Sequence, residues 1–276
     1  MQTPKRFISI QDISCLGQCS LTVALPVISA CGVECCVVPT AVLSTHTGTP
    51  FTGYTFRDLT EDIPAITAHW KRTGLAFDGI GTGYLGSAEQ IGYVAELIDT
   101  LAGPDTLVVV DPVMADHGKF YAGFDMAFCR QMAKLCGKAD IIVPNLTEAC
   151  FLAGEEAVPE AYDLAFCRGV VRKLAALGAG TVVLTGLQLE PGKVCNLIYD
   201  CATGAEDQVV RDRLPCQFHG TGDLFASTCQ GMLMKGRCLR EAVEKASDIV
   251  IAAIRATEPE HTYGVRFERC LEMLTE

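Results

Sequence analysis

Short apolar runs alternate along the chain with longer stretches that have the pattern of helices. Strand-like runs lie at residues 6–11, 34–39, 79–83, 106–110, 140–143 and 181–184. Helical stretches lie at residues 17–30, 62–73, 87–101, 124–136, 160–177, 224–232 and 239–255. Strands covered on both faces, as in a parallel sheet, are continuously apolar and not alternating. The pattern therefore predicts an α/β, doubly wound fold with a mostly parallel central sheet and helices on both faces.

Two other stretches complete this prediction. Residues 194–199 and 207–212 read as the arms of a small β-hairpin at the edge of the sheet. Residues 43–54 are rich in hydroxyls and glycine and too long for a simple connection, so we expect a loop that orders over a substrate. No linker, repeat or low-complexity segment interrupts the sequence. We therefore expect residues 1–276 to form one domain, with no separate lid domain.

Composition narrows the classes of partner. The 276 residues are 49% hydrophobic and carry a formal net charge of -11, which argues against nucleic acid because its binders have a basic face. No apolar run is long enough to cross a bilayer, and the first residues lack a signal-peptide pattern, so we expect a cytoplasmic protein with no membrane partner. The 15 cysteines lie mostly in apolar segments without paired CxxC spacing. We expect free thiols, and neither disulfides nor a zinc site.

One stretch concentrates the candidate chemistry. Gly220, Thr221 and Gly222 precede Asp223, and the predicted helix at 224–232 follows at once. Free backbone N–H groups and the helix dipole favour an anion at such an end. A carboxylate there is unsuited to bind the anion, but it is placed to accept a proton from a hydroxyl that attacks a bound phosphoryl group. The alternative is a glycine turn in which Asp223 is an ordinary N-cap.

Polar residues also follow several of the predicted strands. Right-handed crossovers bring the carboxyl ends of parallel strands to one edge of the sheet. The residues that fall at these ends, or at helix starts beside them, are Asp12, Asp111, Asn145, Glu148, Thr185 and Asp223. This convergence is a stronger functional signal than any single motif.

The converging residues fit phosphoryl transfer, which needs phosphate donors, a divalent cation and a base. Residues 220–222, with Asn145 and Thr185, supply donors. Asp111, Asp116 and Glu148 supply the hard oxygen ligands that Mg²⁺ takes, often through water. The alternative for Asn145 and Glu148 is a helix start, with one as cap and the other in the first turn. The sequence contains neither a GxxxxGK[ST] phosphate-binding loop nor the protein-kinase motifs.

The order of five segments resembles a known family. Residues 218–227 resemble the GTGD signature of the ribokinase-like kinases. Residues 83–90, 111–114 and 144–148 are similar to matching segments of pyridoxal kinases, and residues 44–48 resemble that family's loop over the pyridine ring. The resemblance extends from Ile8 to about Ala252. GTGD alone marks only the superfamily, whereas the order and spacing of all five segments point to vitamin B6.

The resemblance implies a role for each candidate residue. Asp223 activates the 5′-hydroxymethyl group of a B6 vitamer, and Gly220, Thr221 and Gly222 form the anion hole. Asp111, Asn145, Thr185 and Thr221 lie at the phosphates of ATP, with Asp116 and Glu148 near the Mg²⁺ ion. Asp12, His46, Thr47 and Tyr84 line the substrate pocket. Members of the family are usually homodimers, and many use K⁺ as well as Mg²⁺.

Two residues of the pocket have alternative interpretations. Asp12 stands where the family commonly has a serine, and a carboxylate there favours a cationic vitamer, pyridoxamine over pyridoxal. Alternatively, Asp12 bonds to Ser14 or to the N–H groups of the next helix and only caps the turn. His46 is either a ligand contact or a solvent-exposed polar residue.

Two other functions remain alternatives. One is hydroxymethylpyrimidine kinase, of the same superfamily, whose members typically carry cysteine at the position of Asp223. The other is a non-catalytic B6-binding protein on the same scaffold.

Overall fold

The structure, a computed structural model, describes residues 4–48, 50–155, 157–216 and 218–275. The strands are β1 (Arg6–Ser14), β2 (Glu34–Leu43), β3 (Phe56–Asp58), β4 (Gly79–Thr82), β5 (Leu107–Val110), β6 (Ala115–Asp116), β7 (Lys119–Phe120), β8 (Ile141–Ile142), β9 (Thr181–Leu187), β10 (Lys193–Asp200) and β11 (Glu206–Asp212). The helices are α1 (Leu21–Ala30), α2 (Asp62–Thr73), α3 (Ala88–Leu101), α4 (Met126–Cys136), α5 (Leu146–Leu152), α6 (Leu164–Ala175), α7 (Thr221–Met234) and α8 (Leu239–Ala256), followed by a 3-10 helix at Phe267–Leu274.

Nine strands form one sheet in the order β11-β10-β9-β8-β5-β4-β1-β2-β3. The six strands from β9 to β2 run parallel, and β3 and the β10–β11 hairpin add antiparallel edges. The predicted α/β architecture with an edge hairpin is therefore confirmed. Because the chain leaves β1 for β2 on one side and later returns to β4 on the other, the strand order changes direction beside β1. In open α/β sheets, ligands bind at the carboxyl ends of the strands at such a point.

Two apolar layers cover the faces of the sheet. On one face, α2 to α6 pack over buried residues such as Ile80, Val94 and Met132. On the other, α1, α7, α8 and the 3-10 helix pack around Phe7, Val27 and others. This two-sided burial explains the continuously apolar strands in the sequence. It also holds the ends of β1, β4, β5, β8 and β9 in fixed register.

The difference from the predicted elements that bears most on the candidate site is the start of α1. The sequence predicts a helix from residue 17, whereas α1 begins at Leu21. Gly17 has φ 116 and Ser20 has φ 53, so neither lies in the right-handed helical region. The residues between the end of β1 and Leu21 therefore form a turn, which lies at the predicted ligand edge.

The remaining sequence expectations concern membranes and thiols. Among the described residues, no helix combines the length and the apolar character needed to cross a membrane. The structure pairs none of the 15 cysteines, all of which lie within the described ranges. Burial raises the pKa of most of them, as at Cys229 and Cys136, and so favours the neutral thiol.

Candidate active site

The glycine stretch forms the amino end of α7. Gly220 is the N-cap residue and has the left-handed conformation, with φ 79. A Cβ atom at this position would overlap the backbone carbonyl of Gln18, so the turn requires glycine. At Gly222, by contrast, no atom lies within 4 Å of the position of a Cβ. The side-chain position of Gly222 in this first turn therefore faces open space.

Asp223 lies inside the first turn of α7 and does not cap it. Gly220 is the cap, and no side chain completes it, so the N-cap alternative for Asp223 is wrong. Burial raises the pKa of the Asp223 carboxyl to about 6; hydrogen bonding from the Ser20 backbone N–H opposes that rise, and the charge of Asp12 adds to it. A carboxylate with that pKa is suited to accept a proton near neutral pH.

Two other carboxyl groups extend from Asp223 along the sheet edge. Burial, and then the charge of Asp223, raise the pKa of Asp111. Burial, and then the charge of Asp111, raise the pKa of Glu148. Like charges raise a carboxyl pKa in this way only when the groups lie close together. The carboxyl groups of Asp223, Asp111 and Glu148 therefore lie near one another, and they are hereafter called the acidic row.

Asn145 and Glu148 form the start of α5. Asn145 Oδ1 accepts the Glu148 backbone N–H at 3.0 Å, and Glu148 Oε2 accepts the Asn145 N–H at 2.9 Å. Glu148 Oε1 accepts the N–H of Met114 at 3.1 Å, and the Asn145 amide donates to Ala115 O at 2.9 Å. The helix-start interpretation is therefore confirmed for both residues. These bonds also fix the position of the Glu148 carboxylate within the acidic row.

Thr185 lies beside Asn145, with which it forms an isolated parallel bridge. Its hydroxyl donates to the carbonyl of Pro144 at 3.3 Å. Asp116 lies on the β6–β7 hairpin and is half exposed, and its Oδ1 accepts the N–H of His117 at 2.7 Å. Thr185 therefore lies next to the start of α5, and Asp116 lies beyond the end of β5.

Tyr121 is a site residue that the sequence analysis missed. Its side chain is 42% exposed. Burial raises the pKa of its phenol, and the charges of Glu148, Asp116, Asp111 and Asp223 add to the rise. The phenol of Tyr121 therefore lies near these four acids. It follows the β6–β7 hairpin, whose two-residue strands give no signal in the hydrophobic pattern.

Asp12 is buried in the turn before α1. Its Oδ2 accepts the Ser14 hydroxyl at 3.0 Å, and its Oδ1 accepts the Ser20 hydroxyl at 2.5 Å. The structure thus contains the Ser14 contact of the capping alternative. Burial raises the pKa of Asp12, and the two hydroxyls oppose the rise. Asp12 also lies close enough to Tyr84 to raise its phenol pKa, after burial, to about 12.

The remaining pocket residues differ in exposure. His46 is only 5% exposed, so the interpretation as a solvent-exposed residue is wrong. Its ring contacts Phe51 edge-on at 4.9 Å between centroids and His219 at 4.7 Å. Thr47 is exposed, and Tyr84 is partly buried against Phe124. The structure brings Asp12 and Tyr84 together, whereas His46 joins a separate aromatic group.

The acidic row suits a hydrated divalent cation better than a tight protein cage. Within the described ranges, no three His, Cys, Asp or Glu side chains converge as a metal-binding group. The mutual repulsion of Asp111 and Glu148 is nonetheless what a divalent cation would offset. Mg²⁺ usually keeps several waters and takes only one or two carboxylates. The residues therefore fit Mg²⁺ bound largely through water and substrate phosphates.

Comparison with known proteins finds kinases that are similar to this chain over nearly its whole length. A family model described as phosphomethylpyrimidine kinase matches residues 23–266. A pyridoxine/pyridoxal/pyridoxamine kinase of Bordetella avium is 31% identical over 91% of this chain and 84% of its own. A crystal structure of a candidate phosphomethylpyrimidine kinase from Bacteroides thetaiotaomicron, in a form with pyridoxal, superposes with a TM-score of 0.92, 37% identity and 99% and 96% coverage.

A second solved structure extends the likeness to enzymes named for vitamin B6. The pyridoxal kinase of Lactobacillus plantarum has a TM-score of 0.89 and 31% identity, with 99% of this chain and 97% of that chain covered. The ribokinase-like resemblance seen in the sequence is thus confirmed over nearly the whole length. The chain belongs to the phosphomethylpyrimidine kinase family, whose relatives include the pyridoxal kinases.

Proposed function

We propose that the protein transfers the γ-phosphoryl group of ATP to the 5′-hydroxymethyl group of a vitamin B6 vitamer. The observation that carries the proposal is Asp223, with its pKa raised to about 6, in the first turn of helix α7 directly after the Gly220 cap. One solved structure contains pyridoxal, and another contains ADP and pyridoxamine. They support a B6 vitamer and an adenine nucleotide as the two substrates. A solved structure of a similar protein in complex with AMP-PCP supports a site for a nucleoside triphosphate.

In this mechanism Asp223 takes the proton of the 5′-hydroxyl as its oxygen attacks the γ-phosphorus. The bond from that phosphorus to the bridging oxygen of ADP breaks, and ADP leaves with the electron pair. Backbone N–H groups at Gly220, Thr221 and Gly222 stabilise the charge on the transferred group. A bound Mg²⁺ ion supplies additional charge neutralisation at the phosphates.

The other residues have supporting roles in the proposal. Asp111, Asn145, Thr185 and Thr221 would border the ATP phosphates, and Asp116 and Glu148 would hold a Mg²⁺ ion through water. Asp12, His46, Thr47 and Tyr84 line the vitamer side. A monovalent cation such as K⁺ and a homodimeric assembly follow from the family resemblance. The continuous nine-stranded sheet supports one kinase domain over residues 1–276.

Hydroxymethylpyrimidine kinase is the second candidate. The matching family model and several relatives bear a thiamine-related name, such as the hydroxymethylpyrimidine/phosphomethylpyrimidine kinase of Mycobacterium tuberculosis. Asp223 argues against it, because the enzymes of that class typically carry cysteine there. An ADP-release assay with pyridoxal, pyridoxamine, pyridoxine and hydroxymethylpyrimidine in parallel separates the two. Faster turnover of hydroxymethylpyrimidine than of all three vitamers contradicts the B6 proposal.

The Asp223→Asn variant tests the proposed base. The amide keeps the shape of the side chain but cannot accept the proton, so we expect turnover to fall by about 100- to 10,000-fold. ATP affinity, measured by calorimetry, should stay within about threefold. A rate near that of the wild type would assign Asp223 a structural role and contradict its role as the base, whereas a wild type that turns over none of the vitamers would favour the non-catalytic binding function.

A further inference from the structure

The segment at residues 261–268, hereafter the C-terminal segment, lies against two loops of the candidate site. The carbonyl oxygen of Tyr263 accepts the backbone N–H of Gln18 at 3.5 Å. The same oxygen lies 3.2 Å from Nε2 of His46. Gln18 belongs to the turn before α1 and His46 to the loop at 43–54. A single carbonyl therefore joins two loops that are distant in sequence.

The contacts of His46 fix both its tautomer and its ring plane. Nδ1 accepts the backbone N–H of Gly48 at 3.0 Å, so the ring proton resides on Nε2 and is donated to Tyr263. The ring stands against Gly17, where a Cβ atom would lie 2.5 Å from Cδ2. Phe51 contacts His46 edge-on and Tyr263 at 5.8 Å between centroids. His46 is thus a buried connector and not a mobile pocket residue.

Gln18 makes the second connection through its side chain. Its Oε1 lies 2.8 Å from Nε2 of His261, and its amide donates to the Glu268 carboxylate at 2.9 Å and 3.2 Å. Both ends of the amide are therefore oriented by the C-terminal segment. The carbonyl of Gln18 packs directly against Gly220, at the amino end of α7. Gln18 links the C-terminal segment to the anion hole.

We infer that the C-terminal segment positions the vitamer side of the active site, with Gln18 as the positioning residue that transmits its placement. This inference rests on the proposed function for its kinetic consequence. The turn before α1 and the loop at 43–54 follow β1 and β2, whereas the proposed phosphate residues other than Thr221 follow β5 and β8 or lie in β9. Loss of the side-chain link at Gln18 should therefore weaken vitamer binding more than ATP binding.

The variant Gln18→Ala removes the side-chain link and keeps the carbonyl against Gly220. We expect the KM for pyridoxal to rise roughly tenfold, the effect of losing one or two hydrogen bonds, while the KM for ATP changes less than about twofold. The matched control is Arg269→Ala on the adjacent 3-10 helix. Arg269 contacts Ala256 O and Glu258 and is 60% exposed, so both constants should stay within about twofold.

A pair of substitutions separates positioning from general loss of stability. Gln18→Glu places a carboxylate beside Glu268 and should raise the KM for pyridoxal at least as much as Gln18→Ala. Adding Glu268→Gln gives the contact between residues 18 and 268 a donor and an acceptor again. The double variant should therefore recover most of the vitamer affinity. Failure of the double variant to improve on Gln18→Glu contradicts the inference.

Amide hydrogen exchange keeps this test independent of the proposed activity. In the ligand-free protein, Gln18→Ala should speed exchange in residues 43–54, and Arg269→Ala should not. If the wild type phosphorylates no B6 vitamer but the exchange difference is present, the proposed function is wrong and the positioning role stands. If exchange at 43–54 is the same in the wild type and Gln18→Ala, the positioning role is wrong.

Discussion

The hydroxyl of Ser20 donates to Oδ1 of Asp12 at 2.5 Å, and the backbone N–H of the same serine bonds to Asp223. Ser20 therefore connects the carboxylates of Asp12 and Asp223. Ser20 has φ 53, a left-handed conformation that is rare for residues other than glycine. That conformation directs its backbone N–H at Asp223, where it favours the ionised carboxylate. Strain of this kind persists where the surroundings over-determine the backbone, and such places cluster at functional sites.

The first prediction concerns the selectivity of Asp12. Because both of its oxygens accept serine hydroxyls, Asp12→Ser should change the preference between pyridoxamine and pyridoxal by less than about threefold. Overall kcat/KM should fall for both, since Ser20 loses the acceptor that orients it. The measurement is kcat/KM for the two vitamers with wild type and variant. A selective loss of pyridoxamine by more than about tenfold would restore the charge-selection hypothesis.

The second prediction is a pH dependence of stability. Folding raises the pKa of Asp223 from 3.8 to about 6, so the folded state holds this proton more tightly than the unfolded chain does. Below pH 3.8 the carboxyl is neutral in both states, and Asp223→Asn should have little effect on stability. As the pH rises through about 6, the wild type must ionise a buried group and loses stability relative to the variant.

At pH 8 without ATP or Mg²⁺, the variant should be more stable by about 1–3 kcal/mol, the upper value being that of two pKa units. Chemical denaturation of both proteins at several pH values between 4 and 8 measures the difference. Asp99→Asn, in an exposed ion pair with Lys138, is the control and should show no such pH-dependent gain. A wild type that stays as stable as Asp223→Asn at pH 8 contradicts the raised pKa.

The sequence predicts the fold well because a sheet buried on both faces has continuously apolar strands, which are visible as short apolar runs in the sequence. Strands β4, β5 and β9 lie where continuous apolar runs lie, and α2 covers the predicted residues 62–73. Short strands such as β6 and β7 escape detection, since two residues carry no periodicity. Helix α1 starts late because the backbone of Gly17 and Ser20 follows from tertiary contacts and not from propensity.

The candidate site is predictable only where a residue type and a strand end coincide. Asp111, Glu148 and Asp223 satisfy that condition and do converge. Gln18 and Tyr263 do not, because their roles depend on backbone groups and on a segment far along the chain. His46 stands in an evident loop, but its burial arises from Tyr263 and Phe51, and no local pattern indicates it.

The third prediction concerns the thiols. All 15 cysteines should titrate after denaturation without reductant, and reductant should not change the number. In the native protein, Cys15, Cys216 and Cys238 are exposed and should react first with a water-soluble thiol reagent. Buried thiols such as Cys229 should react only on the timescale of unfolding. An increase of two or more thiols on reduction indicates a disulfide and contradicts the prediction.

The fourth prediction uses two glycines of the same turn as each other's control. Gly220→Ala forces a Cβ into the carbonyl of Gln18 and a left-handed φ on alanine, so it should destabilise the fold by roughly 2–4 kcal/mol. Gly222→Ala meets open space inside α7, where alanine is preferred to glycine, so stability should be unchanged or rise by up to about 1 kcal/mol. Its methyl group would nonetheless crowd the N–H groups that the phosphoryl group needs, so kcat should fall at least about tenfold. Denaturation curves and initial rates for both variants test the pair. Full activity in Gly222→Ala would mean that the transferred phosphoryl group does not bind at this turn.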